Sequence, residues 1–260
     1  MEIIHLWDKV PALEGEEPVL EYYPAENKTT SATCVIFPGG GYSFRSAWEG
    51  EGYARFLNSQ GMDAFVCEYR VNPYRFPIQL LDARRAVRYV RANAEKYGVD
   101  PDRIAVMGSS AGGHLAALVA NYRKPIDFEG ADELDSIDPV PNATILCYPV
   151  IRQVDSEDQA VYGCFMNLVH DKPHVDYYVD LMVTDETPPA FIWATYEDSC
   201  VNINGSYNYG KALRKHHIPH ELHILEGGDH GLGLADDNPQ VAQWTGLLVN
   251  WLKHKDWLAK

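Results

Sequence analysis

The sequence predicts an α/β fold, a mostly parallel sheet with helices on both faces. Two observations predict it. Short apolar runs recur at 32–37, 64–69, 104–107, 143–148, 190–195 and 221–225, and helix-compatible stretches separate them, which is the alternation of a sheet covered on both sides. The 260 residues, 46% of them hydrophobic, can bury one large core, so a single domain spanning 1–260 is expected.

The elements follow in order. The run at 32–37 ends in Pro38-Gly39-Gly40-Gly41-Tyr42, and 64–69 is the next strand. Between 77 and 97, Ile78, Leu81, Val87, Val90, Ala94 and Tyr97 form a helical stripe that Gly98 stops. Arg84, Arg88 and Arg91 share one face of that helix, which reads as solvated or ion-paired. The acidic run Asp127, Glu129, Asp132, Glu133, Asp135, Asp138 lacks calcium-loop spacing and reads as solvated surface. The mixed segment 152–187 is too long for an ordinary connection and suggests a small cap or a wall of a site. Val241, Trp244, Leu247, Leu248, Trp251 and Leu252 outline an amphipathic last helix.

A net charge of −15 opposes a phosphate backbone or an anionic membrane as partner, so neither nucleic acid nor membrane is expected. A neutral or cationic small molecule fits better, and a homo-oligomer remains compatible. The N-terminus lacks a basic start and a long apolar centre, and no run approaches the ~20 apolar residues of a membrane span, so a cytoplasmic protein is expected. Cys34, Cys67, Cys147, Cys164 and Cys200 form an odd set without paired metal spacing, and Cys34, Cys67 and Cys147, inside apolar runs, read as reduced buried thiols.

Chemistry concentrates at Gly108-x-Ser110-x-Gly112, where the apolar run 104–107 meets a helix-favouring stretch, 111–121. That is the pattern of a nucleophile elbow: a sharp strand-to-helix turn exposes a serine, and the flanking glycines leave room for it. A serine nucleophile needs a base, an acid to orient that base and donors for an oxyanion. His230, in the glycine-flanked loop after 221–225, is the expected base. Asp198, after 190–195, is the expected acid, favoured over Glu197. Asp229, adjacent to His230, reads as a surface or turn residue. Gly40 and Gly41, with Ala111 after the serine, are the expected oxyanion donors.

Pro38-Gly-Gly-Gly-Tyr42, Glu68-Tyr-Arg-Val71, the stretch 77–91, Gly108-Ser-Ser-Ala-Gly-Gly-His114, Tyr148-Pro-Val150, Pro188-Pro-Ala-Phe-Ile-Trp193, Asp198 and Gly227-Gly-Asp-His-Gly231 together resemble one family. It is the acetyl-esterase and acetyl-xylan-esterase-like group of the α/β-hydrolase fold, related to hormone-sensitive-lipase-type esterases. The resemblance covers most of the chain from about Glu21 onward. It implies an α/β-hydrolase fold, a Ser110, Asp198, His230 triad, a glycine oxyanion site, short acyl esters as substrates and no cofactor. Two positions depart: Pro38 stands where the lipase-type relatives usually carry histidine, and Asn202 where a proline often follows the Asp-x-x-Val element.

Tyr42 and Trp48, with Tyr69, are candidates for lining a substrate pocket, with a place in the core as the other reading of such aromatics. His170 and His174 have the spacing of a helical metal pair, but Pro173 between them opposes a regular helix, so no metal is expected. An amidase or peptidase on the same fold, and a non-catalytic receptor, are the alternative functions.

Overall fold

A computed structural model describes residues 1–8, 15–155, 158–171 and 174–259. Its strands are β1 (Glu2–His5), β2 (Val19–Tyr23), β3 (Thr33–Phe37), β4 (Asp63–Glu68), β5 (Ile104–Ser109), β6 (Ala143–Cys147), β7 (Ala190–Thr195) and β8 (His220–Leu225). Its helices are α1 (Ala47–Ser59), α2 (Ile78–Ala92), α3 (Ala94–Tyr97), α4 (Ser110–Asn121), α5 (Gln159–Val169), α6 (Asn204–Lys215), α7 (Pro239–Ala242) and α8 (Trp244–His254).

The strands form one sheet in the order β1-β2-β4-β3-β5-β6-β7-β8. β1 and β2 pair antiparallel, as do β2 and β4, and the pairs from β4 to β8 are parallel. Alternation along each strand sends side chains to two cores. On β3, Val35 and Phe37 join α2, α4, α5 and α6 on one face, while Cys34 and Ile36 join α1 and α8 on the other. The doubly covered parallel sheet of the sequence reading is therefore present, with an antiparallel pair added at its edge.

This topology positions a site. The chain runs outward from β3 to β4, then returns to β5 on β3's other side, with α1 and α4 on opposite faces. The strand order thus reverses at β3/β5, leaving a crevice at their carboxyl ends, where ligands of open α/β sheets bind. Because β3, β5, β7 and β8 are parallel, the loops after all four open on that rim.

Three expectations need correction. The sequence reading missed β1 and β2, which lack a long apolar run: only Ile4 of β1 and Leu20 and Tyr23 of β2 are buried. The single helix expected over 77–97 breaks at Asn93, whose side-chain Nδ2 donates to Tyr89 O, and Gly98 then ends α3 in the left-handed region. The acidic run is not simply solvated. Arg85 pairs with Asp132, and Arg88 Nη1 donates to Asp135 at 2.8 Å, so α2 clasps that loop.

Past the end of β4, Arg70 and Asp82 of α2 are both fully buried and meet at 2.7 and 2.9 Å, with Trp7 Nε1 donating to the same carboxylate at 3.1 Å. Removing one partner of such a pair strands the other charge in the core. Asp82→Ala should lower unfolding free energy by about 3–5 kcal/mol in urea denaturation. A change below about 1 kcal/mol, the range of an exposed ion pair, would refute this account.

Candidate active site

Ser110 sits at the first position of α4 with φ +53°, left-handed for a residue that carries a side chain. Such a conformation persists only where its surroundings enforce it. Here they do so by close backbone approach. A Cβ on Gly108 would lie 2.1 Å from Gly112 O, and one on Gly112 would lie 2.0 Å from Phe37 O at the end of β3. A Cβ on Gly39 would meet Ser109 O at 2.8 Å and Ser110 Cβ at 3.2 Å. Val150 N–H then holds Ser110 O at 3.0 Å. Ser109, fully buried, exchanges a hydrogen bond with Tyr53 Oη at 2.8 Å, so Ser110 alone of the two serines faces the rim.

His230 Nε2 lies 2.8 Å from Ser110 Oγ, and His230 Nδ1 lies 2.7 Å from Asp198 Oδ2. A carboxylate only accepts, so Nδ1 carries the ring proton and the Nε2 lone pair faces the serine hydroxyl. Asp198 Oδ1 accepts from Cys200 N–H at 2.9 Å and Val201 N–H at 2.8 Å, which closes the loop after β7 and locks the carboxylate, whose side chain is only 1% exposed. Such an arrangement can take a proton from the serine and stabilise the resulting imidazolium.

Glu197 does not take the place of Asp198: its Oε2 accepts from Gly228 N–H at 3.2 Å. Asp229 is more than a turn residue. Its Oδ1 accepts from Ser199 N–H, Ser199 Oγ–H and His230 N–H, at 3.0, 2.8 and 2.8 Å, tying the His230 loop to the Asp198 loop. These hydrogen bonds, first those from Ser199, pull the Asp229 pKa down to about 2.

Gly40 and Gly41 have φ +130° and +60°, and their N–H groups make no hydrogen bond among the described residues. Ala111, second in α4, has an N–H without an intrahelical acceptor. All three expected donors are therefore unspent, and Gly40 and Gly41 line the same cleft as Ser110 and His230.

The sequence reading missed the group that holds this loop. Glu49, in the first turn of α1, is 2% exposed; its Oε2 accepts from Gly39 N–H at 2.7 Å and its Oε1 from Tyr148 Oη–H at 2.6 Å. Tyr148 Oη accepts in turn from Gly233 N–H at 2.9 Å, so the chain of bonds reaches from the glycine triplet to the loop behind His230. Burial pushes the Glu49 pKa up, opposed by these hydrogen bonds, while its place at a helix N-terminus favours the anion. An acid in the first helical turn after a glycine triplet was the available signal.

Of the two expected pocket residues, Trp48 lines the cleft, 57% exposed, with Nε1 donating to Gly231 O at 3.3 Å. Tyr42 does not. It is fully buried, as is Tyr69, and its hydroxyl meets His114 Nδ1 at 2.8 Å. His114 Nε2 lies 2.8 Å from Tyr177 O, which can only accept, so Nε2 carries the proton and Nδ1 accepts from Tyr42. His114 thereby links the glycine loop, α4 and the 152–187 segment as a neutral ring, and burial lowers its pKa from 6.5 to about 4.

The cleft is about 280 Å³ in volume, with Phe44, Trp48, Val150, Ala160, Cys164 and Val201 as its apolar walls. The segment 152–187 thus contributes Ala160 and Cys164 to the wall, although 156–157 and 172–173, including Pro173, lie outside the described residues. His170 and His174 turn to different partners, Asn72 Oδ1 and Asp176 N–H. Among the described residues, the one cluster within metal-ligating reach is Asp198, Cys200 and Asp229, two of whose carboxylates already serve the loops above.

A family model described as BD-FAE matches residues 21–145. An acetyl ester-xyloside bifunctional hydrolase from Caldicellulosiruptor lactoaceticus superposes with a TM-score of 0.91 at 37% identity, covering 99% of this chain and 97% of that one. The chain belongs to the acetyl-xylan-esterase-like family of α/β-hydrolases. It is 31% identical over 249 residues to an acetylxylan esterase of Xylanibacter ruminicola, and 33% identical over 239 residues to an endo-1,4-beta-xylanase B of Butyrivibrio fibrisolvens. These matches cover 92% and 89% of this chain but span only 48% and 37% of those two relatives.

Two outcomes follow from the geometry. Glu49→Ala orphans the Gly39 N–H and removes the acceptor of the Tyr148 hydroxyl, so the rate at which a serine-directed phosphonate labels Ser110 should fall on the order of 10²-fold, the usual effect of a displaced oxyanion donor. An unchanged labelling rate in a folded variant would refute the role assigned to Glu49. For His114, the unfolded chain binds a proton below pH 6.5 that the folded chain refuses until about pH 4. The stability from its neutral ring is therefore complete above pH 6.5 and is lost as pH falls to about 4, by about 3 kcal/mol. His114→Gln should flatten that part of the stability profile in urea titrations; an unchanged slope between those limits counts against it.

Proposed function

We propose that the protein is a serine carboxylesterase that removes short acyl groups, acetyl foremost, from sugar esters such as acetylated xylo-oligosaccharides. One observation carries the reading: the hydrogen-bonded run from Ser110 Oγ through His230 to the buried Asp198 faces the same cleft as the unspent Gly40 and Gly41 donors.

In the proposed mechanism, His230 Nε2 takes the Ser110 proton as Oγ attacks the ester carbonyl. The carbonyl oxygen gains negative charge and turns to the Gly40, Gly41 and Ala111 N–H groups. His230 then gives the proton to the departing alcohol, leaving an acyl-serine. Water attacks that acyl group with His230 again as base, the carboxylic acid leaves, and Ser110 regains its proton. Asp198 holds the ring and balances its charge at both stages.

The cleft volume supports short acyl groups, since about 280 Å³ lies below the ~300–1,000 Å³ of pockets for drug-sized ligands. Similarity to the Caldicellulosiruptor acetyl ester-xyloside hydrolase and the Xylanibacter acetylxylan esterase supports an acetyl ester of a xylose-containing sugar. The amidase alternative has no observation of its own in its favour. No helix among the described residues is long and apolar enough to cross a membrane. The free thiol of exposed Cys200, beside Asp198, supports a reducing, cytoplasmic setting.

Ser110→Ala should abolish acetate release from acetylated xylo-oligosaccharides and covalent labelling by a phosphonate, read by mass. Wild-type turnover should fall steeply from acetyl to octanoyl esters. A phosphonate adduct that persists in Ser110→Ala, or octanoyl esters cleaved as fast as acetyl ones, would sink the proposal.

A further inference from the structure

We propose that a second, polar cleft beside the acyl site binds the neutral sugar portion of the ester, with Tyr196 and Tyr207 as its stacking surfaces. The inference rests on the ester-hydrolase reading and names the subsite that the leaving alcohol occupies.

The cleft is about 870 Å³ in volume, three times that of the acyl cleft, and lies between the start of α5 and the segment running from Tyr196 to Tyr207. Ala160 and Cys200 line both clefts, so the two are neighbours, with the loop that carries Asp198 between them. A ligand acylated in the smaller space therefore extends into the larger one.

The lining identifies the ligand class. Tyr196 is 69% exposed and Tyr207 37%. A lone exposed aromatic needs no explanation, but two on one cavity offer flat faces to a ligand. Between them are polar groups with capacity to spare. The hydroxyls of Tyr196 and Tyr207 and the carboxamide of Asn204 make no hydrogen bond among the described residues. Asn202 spends one amide hydrogen on Asp155 at 3.3 Å, and its oxygen accepts from Asn204 N–H at 3.0 Å. Pyranose rings match this combination, because their C–H faces are apolar and their rims carry hydroxyls that both donate and accept. A long acyl chain does not match it, since it would cover the Asn204 amide and the Asp155 carboxylate without replacing their water. The carboxylates of Asp155 and Asp158 on the same walls, in a chain of net charge −15, repel an acidic sugar, so the ligand is a neutral one.

The test compares two acetyl esters, acetylated xylotriose and para-nitrophenyl acetate, in wild type, Tyr196→Ala, Tyr207→Ala, the double variant and Tyr196→Phe. Each alanine variant should lose about tenfold in kcat/KM on the sugar ester, mainly through KM, while aryl ester turnover stays within about twofold. Tyr196→Phe, which keeps the flat face, should retain most of the sugar-ester activity. Equal losses on both substrates, or a double variant that keeps full sugar-ester activity, would overturn the subsite. Wild type that cleaves the aryl ester but not the sugar ester would overturn it too and leave the esterase standing. Wild type inactive on both esters would instead overturn the esterase reading itself.

Discussion

The left-handed backbone of Ser110 is the constraint around which the rest of the site is built. A side-chain-bearing residue in that region costs of order 1–3 kcal/mol, so it needs neighbours that leave no alternative. The neighbours are main chain. Gly108 meets Gly112, Gly112 meets the last carbonyl of β3, and Gly39 meets the carbonyl of Ser109, all at separations that a single added Cβ would forbid. The same contacts that turn the chain at Ser110 bring the glycine triplet against it. The glycine loop and Ser110 are thus positioned by one packing event, at the point where the sheet order reverses.

Around that turn, carboxylates act as fasteners for backbone. Glu49 holds Gly39 N–H, Asp198 holds two amides of its own loop, and Asp229 holds the amides of Ser199 and His230. Short acidic side chains suit this task, because each accepts several N–H bonds while having few torsions to freeze. Two of the three are buried or nearly so, which raises the strength of each bond and the penalty for breaking it. Asp198 does both jobs at once: one oxygen closes the loop and the other aims at His230, so the loop conformation and the ring orientation are set together.

The parts legible in the sequence were those with local signatures. Apolar runs marked the six parallel strands, the Gly-x-Ser-x-Gly spacing marked the turn, and chain order marked Asp198 and His230. What escaped depends on contacts distant in sequence. β1 and β2 are edge strands with few buried positions, so periodicity says little about them. Tyr42 follows the glycine triplet and reads as a pocket aromatic, yet its partner is His114, 72 residues on, which draws the ring inward. Glu49 is buried against Tyr148, 99 residues later, a contact that no local pattern announces. The acidic loop near Asp132 looks solvated because its arginines lie on α2, some 47 residues earlier.

The loop after β7 shows how a fold can couple two tasks through a few residues. Tyr196 opens it with its N–H on Leu225 O, 2.8 Å, which extends the β7–β8 pairing and fixes where the loop departs. Asp198 then faces inward to His230, while Tyr196, Asn202 and Asn204 face the polar cleft. On the proposed reading, the alcohol that His230 protonates is held by the same short segment that orients His230. A sugar seated on that segment is placed relative to the imidazole by a handful of covalent bonds rather than by packing across the domain. Orientation of a leaving group against its acid is worth most where the intervening structure is stiffest, and the two hydrogen bonds from Cys200 and Val201 to Asp198 supply that stiffness.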